Sequence, residues 1–296
     1  YAQSINGLEQ DPVSFIGGEQ KMVGCKTSVA GSMFRRRAGE GCLSPKMPQL
    51  SPSSLALYQT CPYAFFIQKI VGLKSKQAIT EAQKFGVVFH QVMEAIVNKN
   101  ITKKDEVLPF LEAELPPLMA KVFDIKLSGG DWDMDEMLTF VQQSLGAQAE
   151  TALKIEVDGV VIGGRADMIR AQGDGYEVID FKTGTPPTQP AIESLQYIQI
   201  GLYALMAEAV YGPTMASIVS KNNTYKPWIT LDVTKKSMHW DTYKPMLEDH
   251  IKSLIQNIKT GCYKVQDYKV SAARHAQQCR VCDYYHVCDS TERHQR

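Results

Sequence analysis

The feature that most constrains the fold is a run of strand-forming residues from Ala152 to Gly184, interrupted by two turn signals. The run is rich in Val and Ile, and its turn signals are the Asp-Gly pair at 158–159 and the Gly-Asp-Gly triplet at 173–175. Short turns of this composition join neighbouring antiparallel strands into hairpins. The sequence therefore predicts a meander of three consecutive strands.

Helical patterns come before this meander. The segment 51–73 predicts a helix that begins at a cap formed by Ser51 or Ser53, and the segment 80–99 predicts a second helix with an apolar stripe. Residues 104–150 are expected to be helical throughout, with breaks near 114–119 and 127–133. The candidate core residues of the first two helices are Leu55, Tyr58, Phe65, Phe66, Phe85, Val88, Phe89, Val92, Met93 and Ile96.

The segments after the meander complete the predicted fold class. They are a helix at 192–211 with a Gly212-Pro213 stop, strands at 215–222 and 227–233, and a helix at 241–260 followed by Gly261. This order of elements indicates an α/β fold, in which helices flank a central sheet.

Three further boundaries follow from composition. Residues 1–48 are rich in Gly, Ser, Lys and Arg without periodicity, so we interpret them as a linker or poorly ordered lead-in. Residues 49–296 are expected to form one domain, with a helical insertion at 98–150 and a cysteine cluster at 262–290.

Charge and cysteine content limit the function classes. The 32 basic and 32 acidic residues balance, which argues against a tail-driven polyanion binder but leaves a local basic groove open. Seven cysteines, an odd number, three of them within ten residues, suit metal ligation better than a secreted disulfide framework. With neither a secretory signal nor an apolar run long enough to cross a membrane, we expect a cytoplasmic protein without a membrane partner.

Two acidic residues of the meander are candidates for chemistry. Asp167 and Asp180 lie on strands joined by a short hairpin, so antiparallel pairing would place the two carboxylates near one another. Carboxylate oxygens are the ligands that Mg²⁺ and Mn²⁺ prefer. Lys182 shares a strand face with Asp180 and could orient or deprotonate a water, or stabilise charge on a phosphate. The alternative is a surface hairpin in which Asp180 pairs with Lys182.

Two helices carry weaker signals. His90 lies among apolar neighbours of the helix at 80–99, with Glu94 one turn later, and a lone histidine there is more often a core residue than a ligand. On the later helix, Gln196, Gln199 and Tyr203 are spaced to share one face. Such a polar face indicates contact with a phosphate or an active-site lysine, unless it reflects ordinary amphipathicity.

The cysteine spacing is the most specific signal. Cys279, Cys282 and Cys288 supply three thiolates, and tetrahedral coordination or a cubane cluster needs a fourth ligand. Cys61, which precedes a proline and an aromatic residue, is the candidate for the fourth position. The alternative is a zinc site completed by His275 or His286.

These motifs, in this order, resemble one family. The segment 50–290 is similar to the iron–sulfur branch of the RecB-like nucleases, in the PD-(D/E)XK superfamily, which includes AddB-type subunits and CRISPR-associated nucleases. The resemblance implies a restriction-endonuclease-like core with a mixed central sheet flanked by helices. It also implies that an iron–sulfur cluster joins the two ends of the chain.

The resemblance also implies roles for individual residues. His90, Asp167, Asp180 and the backbone carbonyl of Phe181 match the family's ligands for Mg²⁺ or Mn²⁺, and Lys182 matches its catalytic lysine. Gln199 and Tyr203 match a DNA-contacting helix. The ligands of the structural 4Fe–4S cluster would be Cys61, Cys279, Cys282 and Cys288.

Two positions depart from the family pattern. Ala166 precedes Asp167 where the family label has Pro, and Phe181 stands where the family usually has Tyr. Neither change removes a ligand, so we expect little effect.

The resulting hypothesis is a metal-dependent DNA exonuclease that acts on single strands or duplex ends, in DNA repair, recombination or foreign-DNA processing. A helicase subunit or domain is its expected partner, and no Walker-type motif occurs in the chain itself. The alternatives are a non-catalytic DNA-binding module of a helicase–nuclease complex and an unrelated zinc-containing protein.

Overall fold

A computed structural model describes residues 47–74, 80–103, 105–107, 134–142, 144, 146–220, 227–231, 240–263 and 282–284, and the isolated positions 109, 113 and 117. These residues divide into two compact units. The first contains the two ends of the chain, 1–77 and 251–296, and the second contains residues 78–250.

A five-stranded mixed sheet forms the centre of the second unit. Its strands follow chain order, and only the contact between the third and fourth strands is parallel. A parallel connection needs a crossover segment, which here is helical. The strands are β1 (Gln148–Val157), β2 (Val160–Gln172), β3 (Gly175–Lys182), β4 (Thr214–Ser220) and β5 (Pro227–Leu231).

The described helices precede β1, lie between β3 and β4, and follow β5 in the sequence. They are α1 (Pro52–Thr60), α2 (Pro62–Phe65), α3 (Glu81–Asn98), α4 (Met134–Gln142), α5 (Gln189–Glu193), α6 (Gln199–Tyr211) and α7 (Trp240–Lys259), and a π-helical turn (Phe66–Ile70) follows α2. No helix within the described residues has the length and apolar character that a membrane span requires.

The predicted meander is confirmed, and its turn chemistry explains why. Asp158 and Gly159 both have positive φ, 52° and 71°, as the tight turn of a two-residue hairpin demands. The second hairpin turns at Gly173, with φ 58°. These turns set the register of β1, β2 and β3, and with it the position of every polar side chain on those strands.

The core of the second unit lies between the sheet and the helices α3 and α4. The predicted apolar stripe of α3 is buried there, together with Met168, Ile179, Phe181 and Val219 of the sheet. Helix α6 packs against β1, β3 and β4, and its residues from Ile200 to Ala207 are all buried. An apolar stripe that runs the length of α3 holds that helix in one rotational setting.

The first unit is held together by aromatic residues from both ends of the chain. Tyr263 lies 5.0 Å from Phe66, ring centroid to ring centroid, and 6.3 Å from both Phe65 and Tyr58. Tyr58 Oη also donates a hydrogen bond of 2.5 Å to the Cys262 carbonyl. Tyr284 Oη donates one of 3.3 Å to the Leu73 carbonyl. The segments that carry Cys61 and Cys282 therefore belong to the same compact unit.

The structure confirms Ser51 as the N-cap of α1, but it divides the predicted helix 51–73 at Cys61, which follows α1 and caps α2. It also differs from the sequence prediction in two later segments. The predicted helix 192–211 is interrupted: α5 ends at Glu193, Leu195 has φ 59°, and α6 begins only at Gln199. The expectation of helix throughout 104–150 is wrong at its end, because β1 begins at Gln148. Most of residues 108–133 of this segment lie outside the described residues. The predicted lead-in lies outside the described residues except for its last two positions.

Candidate active site

His90 is positioned by helix α3. The helix begins at a capping box formed by Thr80 and Gln83, which supplies partners for its first free backbone N–H groups. Phe89 is buried in the core, and the rings of Phe89 and Phe181 both meet the imidazole edge-on, with centroids 6.2 and 6.5 Å away. This packing leaves the His90 side chain about one-third exposed, at the rim of the sheet.

Asp167 connects His90 to the sheet. Its Oδ1 lies 3.3 Å from His90 Nδ1, and its Oδ2 accepts a 2.7 Å hydrogen bond from the Phe181 backbone N–H. Burial lowers the pKa of His90, but the hydrogen bond and the negative charge of Asp167 outweigh it and leave that pKa above its usual value. The carboxylate is thus oriented by one backbone donor and attracts a cation on its other side.

Asp180 and Lys182 form a buried ion pair. Lys182 Nζ lies 2.7 Å from Asp180 Oδ2, and the Asp180 side chain is 2 % exposed. Burial raises the pKa of Asp180, while the Lys182 ammonium opposes that rise. Burial lowers the pKa of Lys182, but Asp180 more than compensates and the net shift is upward. The alternative interpretation of the sequence predicted that Asp180 pairs with Lys182, and this ion pair is present. It is buried, however, and does not lie on an exposed hairpin surface.

A third carboxylate, that of Glu150, lies at this site, although the sequence did not indicate it. One oxygen of Glu150, one nitrogen of His90 and one oxygen of Asp167 lie within 4.8 Å of one another. In the described part of the chain, this is the group of side chains best placed to hold a metal ion. Glu150 lies on β1 in the stretch that the sequence analysis assigned to a helix, which is why it was missed.

The helix α6 brings two further predicted residues to the site. Gln199 and Tyr203 lie one turn apart, and Gln199 interacts with the Tyr203 hydroxyl. Burial and the negative charges of Asp180 and Asp167 raise the pKa of Tyr203 to about 12. Tyr203 is therefore close enough to both carboxylates to feel their charge.

Tyr197 is a second residue that the sequence did not indicate. Its Oη lies 3.2 Å from Gln199 Oε1 and also within hydrogen-bonding reach of Asp180. Burial, followed by the charges of Asp180 and Asp167, raises the pKa of this phenol. Gln196, by contrast, precedes α6 and is exposed, so its predicted place on the same helix face is wrong.

Phe181 has two separate contacts. Its side chain is 1 % exposed and meets the rings of Phe89 and Phe140 edge-on, whereas its backbone N–H holds Asp167. An apolar ring therefore suits this position. Ala166, the other departure from the family pattern, is fully buried beside Asp167 on β2.

The cysteine motif is described only in part. Cys61 is the N-cap of α2, where its Sγ accepts a 3.4 Å hydrogen bond from the Ala64 backbone N–H. Cys61 and Cys282 are both half-buried and neither is in a disulfide bond. Cys279 and Cys288 lie outside the described residues, as do His275 and His286 of the zinc alternative.

Comparison with protein families gives one match over most of the chain. The model of the PD-(D/E)XK nuclease superfamily matches residues 49–289. This range contains every residue of the site described above and all four predicted cluster cysteines.

Individual relatives are distant. An uncharacterized protein of Rickettsia conorii is 28% identical over 174 residues, which cover 51% of this chain and 21% of the relative. One from Rickettsia typhi is 29% identical over 156 residues, covering 45% of this chain and 18% of the relative. Among solved structures, a candidate exonuclease of Eubacterium rectale aligns with a TM-score of 0.45 at 13% identity, over 80% of this chain and 94% of that one. This chain spans about a fifth of the length of the Rickettsia relatives that it matches.

Proposed function

This chain belongs to the PD-(D/E)XK nuclease superfamily, and from that premise we propose that it is a metal-dependent nuclease that hydrolyses phosphodiester bonds in DNA. The observation that carries the proposal is the convergence of His90, Asp167, Asp180 and Lys182 on one site, from a helix and two strands. A site reduced to DNA binding would not need both an imidazole beside one carboxylate and a lysine beside a second, buried carboxylate.

The side chains of the site fit a divalent cation. Carboxylate oxygens are hard ligands suited to Mg²⁺ and Mn²⁺, and an imidazole nitrogen favours Mn²⁺ over Mg²⁺. His90, Asp167 and Asp180, with the backbone carbonyl of Phe181, would hold the cation. When bound, the cation would polarise the scissile phosphate and make a water molecule more acidic.

Lys182 is proposed to act as a charge rather than as a base. Its Nζ lies beside a buried carboxylate, which favours the protonated amine. A fixed ammonium at this position can stabilise the negative charge that develops on a phosphate under attack. Asp180 is in turn the group that holds this ammonium in place.

Tyr197, Gln199 and Tyr203 are proposed to position the substrate strand. Tyr197 Oη donates a hydrogen bond of 3.2 Å to Gln199 Oε1, and Tyr203 lies one turn after Gln199 on α6. Donors of this kind can hold phosphate and sugar oxygens without reading the bases. We therefore propose backbone recognition of single strands or duplex ends, and an exonuclease mode of attack.

The proposed context is DNA repair, recombination or foreign-DNA processing, with a helicase subunit or domain as partner. We also propose that Cys61, Cys279, Cys282 and Cys288 bind a 4Fe–4S cluster that joins the two chain ends. The support for the cluster is the thiol spacing and the common unit that contains Cys61 and Cys282. The cluster would be structural, because the proposed hydrolysis needs no electron transfer.

The test of the nuclease uses labelled DNA. Single-stranded and duplex DNA, labelled at the 5′ or the 3′ end, would be incubated with Mg²⁺ or Mn²⁺ and the wild-type protein, Lys182→Ala or the control Lys154→Ala. Lys154 is an exposed lysine of β1. Wild type and control should degrade DNA from an end, whereas Lys182→Ala should be slower by a factor on the order of a hundred or more, as for the loss of one transition-state contact.

The negative outcome favours the alternative function. If wild type and Lys154→Ala bind DNA but leave every substrate intact with both metals, the protein is a non-catalytic DNA-binding module. If Lys182→Ala cuts as fast as wild type, the proposed role of Lys182 is wrong even though the nuclease stands.

A further inference from the structure

Glu150 has no role in the function proposed so far, yet it lies against the site. Its side chain is half-buried and, with His90 and Glu94, lines an open groove of about 540 Å³ along α3. The other side chains that line the groove are neutral. The groove is therefore an acidic, solvent-connected space that begins at the proposed metal ligands.

Strand register places Glu150 next to Asp167. The pairs on either side are Ala149 with Met168 and Thr151 with Ala166, so the count along the two strands places Glu150 opposite Asp167. Directly opposed residues of an antiparallel pair project from the same face of the sheet. The short distance between one oxygen of each carboxylate, within 4.8 Å, agrees with this register.

The side chain of His90 lies close to these two carboxylates and comes from a helix, not from the sheet. His90 comes from α3, and its nitrogen, a Glu150 oxygen and an Asp167 oxygen lie within 4.8 Å of one another. Asp180 is not one of the three side chains of this group, and its Oδ2 lies 2.7 Å from Lys182 Nζ. Two acidic side chains and an imidazole around one point form a donor set typical of Mn²⁺ sites.

The backbone and the charges at Glu150 support a ligand role. Its φ is 51°, a left-handed conformation that is unfavourable for a residue other than Gly, Asn or Asp. The Asp167 carboxylate lies within 4.8 Å of the Glu150 carboxylate, and Glu94 lines the same groove. A divalent cation at this point would offset the repulsion that the metal-free site contains.

We propose that Glu150 is a ligand of the divalent cation, together with His90 and Asp167. This inference rests on the proposed function, since it concerns the metal that the nuclease would use. It adds a carboxylate from β1 to a site so far built from α3, β2 and β3, and places that carboxylate where the site opens into the groove.

The experiment measures metal binding and not DNA cleavage. The full chain would be titrated with Mn²⁺ alone, and free Mn²⁺ would be followed by its electron paramagnetic resonance signal, for wild type, Glu150→Gln and Glu156→Gln. Glu156 is an exposed residue of the same strand and is the matched control. Glu150→Gln should bind Mn²⁺ more weakly by a factor on the order of ten or more, and the control should bind as wild type does.

Thermal unfolding supplies a second readout that shows whether the variant folds. Without metal, Glu150→Gln should melt at the same temperature as wild type or higher, because the amide keeps the side-chain shape and removes a repelled charge. Saturating Mn²⁺ should then raise the melting temperature of wild type and Glu156→Gln more than that of Glu150→Gln. A metal-free Glu150→Gln that melts well below wild type would contradict the proposal, since Glu150 would then be a structural residue.

The outcomes separate this inference from the nuclease proposal. If Glu150→Gln binds Mn²⁺ with unchanged affinity and stoichiometry, the inference fails whether or not the wild type cuts DNA. If Mn²⁺ binding depends on Glu150 but the wild type leaves DNA intact, the inference stands and the nuclease proposal fails.

Discussion

At the scale of single residues, the site is organised by charge. Asp180 is 2 % exposed, and its counterion Lys182 is 2.7 Å away on the same strand. Burying a carboxylate is costly unless a cation accompanies it, and removal of one partner leaves the other uncompensated. The ion pair that stabilises the metal-free protein therefore consists of two residues that the proposed reaction also needs.

This dual role predicts strong coupling between the two residues. Measured by urea unfolding in EDTA, Lys182→Met should lower the free energy of unfolding by about 3 kcal/mol, because Asp180 loses its counterion. The double variant Asp180→Asn/Lys182→Met should recover most of that loss, since both charges are then absent.

The control for this prediction is Lys154→Met, which removes an exposed lysine of β1 and should change stability by no more than about 0.5 kcal/mol. If Lys182→Met is no less stable than Lys154→Met, or the double variant is less stable than Lys182→Met, the buried ion pair does not stabilise the fold.

At the scale of elements, the position of α6 depends on its contact with α7. A Cβ atom added at Gly201 would lie 2.8 Å from Leu247 Cδ2 and 2.8 Å from Tyr243 Oη. Both residues of α7 are fully buried, so they have little space to move. Gly201 lies between Gln199 and Tyr203, and the same close approach therefore sets the position of the helix that reaches the site.

Gly201→Ala should consequently destabilise the protein despite the better helix propensity of alanine. Overpacking costs about 1–3 kcal/mol and the gain in propensity is about 1 kcal/mol, so we expect a net loss in urea unfolding. Adding Tyr243→Phe, which removes one of the clashing atoms, should restore part of the stability. Val210→Ala, at the exposed end of α6, is the control and should be nearly neutral. A Gly201→Ala protein as stable as wild type would show that α6 is not held by this contact.

At the scale of the whole molecule, the two chain ends share one compact unit and the candidate active site lies in the other. Contacts between the ends include the aromatic group around Tyr263 and the hydrogen bonds from Tyr58 to the Cys262 carbonyl and from Tyr284 to the Leu73 carbonyl. Cys61 and Cys282 lie in the same unit. A cluster at these cysteines would cross-link chain segments separated by about two hundred residues, and it would stabilise that unit.

The cluster proposal predicts a coloured, iron-containing protein. Anaerobically purified wild type should absorb in the blue part of the visible spectrum, and Cys282→Ser should lose both the absorbance and the iron. It should also unfold at a lower temperature than Cys25→Ser, the control at a cysteine without a proposed role. A colourless wild type with bound zinc and no iron would support a zinc site instead.

Much of the candidate site could be predicted because strand register is a local property. Val157 pairs with Val160 across the first hairpin, and Gln172 pairs with Gly175 across the second. Counting outward from these turns places Asp167 opposite Asp180, one position beyond the last paired residues, Met168 and Ile179. The same count places Glu150 opposite Asp167, a signal that was missed because the start of β1 was assigned to a helix.

The sequence by itself therefore determined the meander, its turns, the apolar stripe of α3 and the proximity of Asp167 and Asp180, since each depends on residues close in the chain. Only the tertiary structure decided that His90 reaches Asp167, that Glu150 joins them and that Tyr197 contacts Gln199. Those contacts depend on how α3 and α6 pack on the sheet and on where the helix after β3 is interrupted. Packing of distant segments is a property of the whole core, so no local pattern encodes it.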